Sequence, residues 1–247
     1  MIGRVLLAAI LAGLAAGLVM SVIQHVRLTP LILHAEVFEE KSAEGGHDHA
    51  TPPAQPEAAV PAEGTATAET HEHDEDAWAP ADGLERTFYT TMFSMLAGAG
   101  YALALAGVAL LAGLNITRQN AVLWGLSGFL AVSLAPAVGL PPELPGMPAA
   151  DVTMRQIWWA ATVLFTGAGL YLLATRQNAV GIAIAIVLFI APHLYGAPEA
   201  PTSDSHVPAG LAAEFAANSL AANLVMWVLI GVFLSITLAK VEGEAKA

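Results

Sequence analysis

Residues 5–23 read Val-Leu-Leu-Ala-Ala-Ile-Leu-Ala-Gly-Leu-Ala-Ala-Gly-Leu-Val-Met-Ser-Val-Ile. No charged side chain interrupts them, and a helix needs about 20 apolar residues to cross the hydrocarbon of a bilayer. Five further stretches follow without Asp, Glu, Lys or Arg: residues 88–114, 121–140, 157–174, 179–195 and 215–239. The 247-residue chain is 56% hydrophobic and 12% charged, with a mean hydropathy of +0.61. Soluble domains carry about 25% charged residues. The expected fold is an all-α, polytopic membrane helix bundle of six spans. Five is the alternative, because residues 179–195 form the shortest run and end near Pro192.

Arg4 precedes the first run, as in a secretory signal. The run is longer than a usual signal core and no A-x-A cleavage pattern follows, so a retained helix is expected. Its Ala9, Gly13, Gly17 and Ser21 recur every fourth residue, a ridge of small side chains suited to close helix contact in lipid. Six spans place both termini on one side. That side holds Arg4, Arg118, Arg176, Lys240 and Lys246, against Arg27, Lys41, Arg86 and Arg155 on the other. Basic residues in short loops weigh most in setting orientation, so the termini are expected in the cytoplasm. Four segments result: a first transmembrane helix and its exit at 1–35, an external loop at 36–87, a five-helix bundle at 88–240 and a cytoplasmic tail at 241–247.

The hexapeptide Thr117-Arg118-Gln119-Asn120-Ala121-Val122 recurs as Thr175-Arg176-Gln177-Asn178-Ala179-Val180. Leu134-Ala135-Pro136 is echoed by Ile190-Ala191-Pro192, and Pro142-Glu143-Leu144-Pro145 by Pro198-Glu199-Ala200-Pro201. Spans 2–3 and 4–5 therefore read as a duplicated hairpin. Parallel internal repeats are common in transporters, although duplication alone does not prove transport.

Residues 36–87 carry 14 acidic residues and few large apolar ones, a composition that predicts disorder. Within them lie His47-Asp48-His49 and His71-Glu72-His73. Imidazole suits divalent zinc, copper, nickel and cobalt, with carboxylates adding charge. These short clusters would hold metal loosely, as a collector does. A solvated linker with incidental histidines is the plainer reading.

At the membrane boundary, His25 follows Gly17 and Ser21 at four-residue spacing and is expected to face the bundle. His34 and Glu36 lie just beyond Pro30, and His193 ends the fifth span. Odd-numbered spans all end on the loop side, which places His25 and His193 near one mouth. Polar groups at membrane depth are costly and usually functional; interfacial snorkelling is the bland alternative.

No nucleophile elbow, H-E-x-x-H motif or intramembrane acidic pair is present, so no enzyme is expected. The absence of cysteine excludes thiolate chemistry. A net charge of -12 disfavours nucleic acid and favours cations.

The chain resembles the CbtA family of cobalt transporter subunits. The likeness rests on Met1-Ile2-Gly3-Arg4-Val5-Leu6-Leu7-Ala8-Ala9, Ala12-Gly13-Leu14-Ala15-Ala16-Gly17-Leu18, Gln24-His25, Pro30-Leu31-Ile32-Leu33 and Ala35-Glu36-Val37-Phe38-Glu39. It extends to Ala191-Pro192-His193-Leu194-Tyr195-Gly196-Ala197-Pro198-Glu199. The resemblance implies a bacterial inner-membrane protein that takes up cobalt for cobalamin synthesis. It also implies a small single-span partner, CbtB, with its own His-rich segment. Only His25 and His193 match polar positions of the motif-bearing segments. Nickel and zinc are alternative cargoes. Two other functions compete: a metal-sensing or scaffold membrane protein, and a redox subunit holding haem between histidines.

Overall fold

The computed structural model describes residues 2–45, 80–81, 83–202 and 204–244. Six helices account for most of them. Helix α1 comprises Ile2–Ile23, a π-helical turn at Gln24–Leu28 and Thr29–Gly45. Helix α2 is Leu84–Ala112. Helix α3, Ala121–Ala137, carries a second π-turn at Leu130–Leu134. Helices α4, α5 and α6 are Val152–Thr175, Ala179–Tyr195 and Ala209–Glu244. No strand occurs among the described residues, and the molecule is an all-α membrane bundle. Four helices (α1, α2, α4 and α6) are long and apolar enough to cross a bilayer. The other two have 17 residues, about 26 Å of rise, the lower end of the spanning range. Helix α1 runs well into the segment expected to be a loop, and α2 begins before its end.

Small residues select the partners. Ala9, Gly13, Gly17 and Ser21 are all buried, as their spacing predicts, and the ridge lies on α2. A Cβ on Gly13 would strike the Gly98 carbonyl, and one on Gly17 the Ser94 carbonyl. Helix α6 also packs on α1, where Thr237 Oγ1 lies 3.1 Å from the Ala8 carbonyl and 3.0 Å from the Phe233 carbonyl of its own helix. Helix α3 packs on α6 through Gly125 and Gly128, which accommodate the backbone and ring of Trp227. Trp227 is 2% exposed, stacks on Tyr101 at 4.9 Å and donates from Nε1 to Ser133 at 3.2 Å. The main core thus lies among α1, α2, α3 and α6.

The duplicated-hairpin expectation is half met. Helices α4 and α5 pack along each other, whereas α2 rests on α1 and α3 on α6. The copies do share local design. Asn120 and Asn178 each precede the first residue of a helix, and the Pro136 and Pro192 carbonyls each accept an N–H four residues on.

Both π-turns end two residues before a proline, Pro30 and Pro136. Proline has no N–H and its ring crowds the preceding turn. The turns close instead through i−5 bonds, from Thr29 N–H to the Gln24 carbonyl and from Ala135 N–H to the Leu130 carbonyl. The extra residue in each turn leaves room for the ring.

The rim beside the candidate residues

At the loop end of the bundle a small apolar cluster joins four segments. Ala35 of α1 meets Leu144 from the α3–α4 connection, Val207 from the α5–α6 connection and Leu211 of α6. This cluster fixes the exit of α1 against two loops and so sets the frame for the polar residues around it.

His25 lies in the first π-turn and is exposed, as are Val26 and Arg27. The expectation that His25 continues the packing ridge is corrected here. Its neighbour Gln24 faces α2 instead, where its side-chain amide pairs with the Ser94 hydroxyl. That hydroxyl also lies 2.7 Å from the Thr90 carbonyl. The helix widens into the π-turn at this point, and the residue in contact with α2 is one earlier than a uniform four-residue spacing supposes.

His34 is exposed and its ring lies 5.5 Å from that of Phe38. Glu36 is engaged: its Oε1 accepts from Arg86 Nη2 at 2.6 Å and its Oε2 from Nη1 at 3.5 Å. A cation at Glu36 must compete with that guanidinium.

His193 is half-buried in the last turn of α5 and stands edge-on to Trp158, with ring centroids 5.8 Å apart. Trp158 is nearly fully buried, and its Nε1 donates to the Pro192 carbonyl at 3.2 Å. The same indole packs beside Gly139, at the end of α3. One aromatic side chain therefore ties the ends of α3 and α5 to α4 and orients the histidine.

Above this contact an open groove of about 580 Å³ is lined by Gly139, Glu143, Ala197, Glu199 and Thr202, among others. Glu143 and Glu199 are the matched glutamates of the internal repeat, brought to one groove by the parallel ends of α3 and α5. Glu143 accepts from Arg155 Nη2 at 2.7 Å, whereas Glu199 is exposed. Sequence patterns alone do not reveal the shared groove; its one signal is the Pro-Glu echo.

The candidates do not form one cluster. Helix α5 packs on α4, α4 on the end of α3, α3 on α6 and α6 on α1. His25 and His193 thus stand on helices at the two ends of this row. That arrangement gives no support to a haem held between them, because axial ligands must face each other. Among the described residues no three His, Asp or Glu side chains are grouped to hold one metal ion. His47, His49, His71 and His73 lie outside the described residues.

A family model described as "Probable cobalt transporter subunit (CbtA)" matches residues 2–239. No curated protein and no solved structure matches the chain.

Proposed function

The chain belongs to the CbtA family of probable cobalt transporter subunits, and from that membership we propose how it handles its cargo. It is the membrane subunit of an uptake system for a divalent transition metal, cobalt in the first place and nickel or zinc as alternatives. The His-rich segment at 36–87 gathers the ion outside a bacterial inner membrane. His47, His49, His71 and His73 are the collecting ligands, and the acidic surroundings raise the local cation concentration. His34, Glu36, His25 and His193 then receive it at the rim, and both termini lie in the cytoplasm. A small His-rich single-span subunit like CbtB works with this chain. No phosphate-binding Gly-rich loop occurs in the sequence, so energy is supplied by a partner or a gradient.

The observation that carries this reading is the match over residues 2–239, which covers all but the last turn of the six-helix bundle. The dispersal of the rim ligands supports a particular manner of transfer. A pathway needs sites weak enough to release as well as to bind. Single imidazoles and carboxylates, each replacing one or two waters of the ion, meet that condition better than a closed four-ligand shell. Cobalt accumulation by cells expressing the full chain and its partner tests the proposal. His25→Ala and His193→Ala should each lower uptake at limiting cobalt while the protein remains in the membrane. Undiminished uptake in both variants removes the rim residues from the pathway.

A further inference from the structure

We propose that the end of the bundle opposite the groove is a binding surface for anionic phospholipids, with headgroups held by Arg4, Arg118, Arg176 and Lys240. All four side chains are exposed, and none forms an ion pair among the described residues. The helices bring them to one end. Helices α1 and α6 run antiparallel, with Thr237 Oγ1 3.1 Å from the Ala8 carbonyl, so Arg4 and Lys240 each stand about one turn beyond that contact. Ile116, from the α2–α3 connection, is buried in the core shared with α1 and α6, and Arg118 follows two residues later. Arg176 sits at the matching place between α4 and α5. At the groove end, by contrast, Arg86 and Arg155 are held by Glu36 and Glu143.

Two further observations select a lipid as the occupant. Arg118 and Arg176 stand on braced turns. Asn120 accepts from the Thr117 N–H at 2.7 Å and donates to the Asn115 carbonyl at 2.9 Å, closing the loop that carries Arg118. The Arg176 N–H is bound to the Leu172 carbonyl at 2.7 Å. One turn deeper, each of the three arginines is followed by an exposed apolar side chain: Leu7 after Arg4, Leu123 after Arg118 and Val180 after Arg176. A cation at the helix end with an apolar wall beneath it matches a molecule with a phosphate at one end and acyl chains at the other. A soluble anion would use only the first part. Each Lys or Arg at an anionic membrane surface contributes about fivefold to binding. The surface is independent of what the chain transports.

The test uses the purified full chain in phosphatidylcholine bilayers containing trace spin-labelled phosphatidylglycerol or spin-labelled phosphatidylcholine. The unmodified protein should select phosphatidylglycerol several-fold at low salt and lose most of that preference at about 1 M salt, where the screening length is near 3 Å. The variant Arg4→Gln/Arg118→Gln/Arg176→Gln/Lys240→Gln should show almost no preference while keeping its thermal midpoint in neutral detergent. If that variant does not fold, Arg118→Gln/Arg176→Gln, on the two exposed turns, should still at least halve the preference. Millimolar glycerol phosphate should not compete. Three results overturn the proposal: preference retained by the folded variants, preference lost on Arg27→Gln alone, or full competition by glycerol phosphate.

Discussion

Alanine placed at Gly98 and at Gly100, two residues apart on α2, should act in opposite directions. The first position faces α1. A Cβ there would overlap the Gly13 carbonyl oxygen and stand 3.0 Å from the Gly17 nitrogen, both backbone atoms that cannot swing away. Ordinary contact begins near 3.4 Å, so relieving the overlap at the carbonyl oxygen requires the helices to part locally by about 1 Å. A gap of that size forfeits about a quarter or more of each dispersion contact along the ridge. Overpacking of this kind costs about 1–3 kcal/mol. At Gly100 a Cβ meets nothing within 4 Å. Both substitutions gain about 1 kcal/mol of helix propensity, which cancels in the comparison. Gly98→Ala should therefore be less stable than Gly100→Ala by about 1–3 kcal/mol, with Gly100→Ala no worse than the parent. The assay is unfolding of the full chain in mixed micelles by added dodecyl sulfate, followed by helical circular dichroism. Equal midpoints for the two variants would refute the α1–α2 ridge.

Smaller effects are expected elsewhere. Glu36 and Arg86 are each about one-third exposed, so a double-mutant cycle with Glu36→Gln and Arg86→Gln should yield a coupling below about 1 kcal/mol. A much larger coupling would mean that the pair is shielded from water. Asn178 accepts from the Gly181 N–H at 2.7 Å, and Asn178→Ala should cost about 1 kcal/mol and speed hydrogen exchange at Gly181. Asn120→Ala should instead speed exchange at Thr117, whose N–H it holds; the reverse pattern would contradict the two roles.

The number and class of helices could be read from hydropathy, because a bilayer demands long uncharged runs of any helix that crosses it. The α1 ridge was legible for a related reason: in lipid, close approach depends on small residues, and Ala9, Gly13, Gly17 and Ser21 announce it by spacing alone. The facing of His25 was not legible. A π-turn one residue wider than an α-turn begins at Gln24, and a four-residue template does not anticipate it, although Pro30 is the cause. The groove was half legible. The matched Pro-Glu segments were visible as an echo, but the Arg155 that occupies Glu143 and the indole that positions His193 come from α4, through packing that has no periodic signature.

Why the two copies of the repeat fold so differently follows from a few substituted positions. The hexapeptides are offset by 58 residues, and at that offset Trp158 of α4 corresponds to Gly100 of α2, and Gly169 to Leu111. Trp158 holds the end of α5 through the Pro192 carbonyl, and Gly169 receives the ring of Phe189. Helix α2 has neither the donor nor the hollow, so it cannot grip α3 and packs on α1 by its own glycine. Conversely, Gly125 and Gly128 of α3 correspond to Ala183 and Ile186 of α5. A Cβ at Gly125 would stand 2.5 Å from the Trp227 carbonyl, and one at Gly128 would enter the Trp227 ring. Helix α5 therefore cannot occupy a site like that of α3 against α6. It remains at the periphery, attached through α4, with its apolar residues facing outward. The duplicated unit thus supplies one helix to the core and one to the edge, while the repeat ends still converge on the groove that holds Glu143 and Glu199. The α4–α5 pair is fastened to the rest of the bundle mainly at the end of α3, where the Trp158 ring packs beside Gly139.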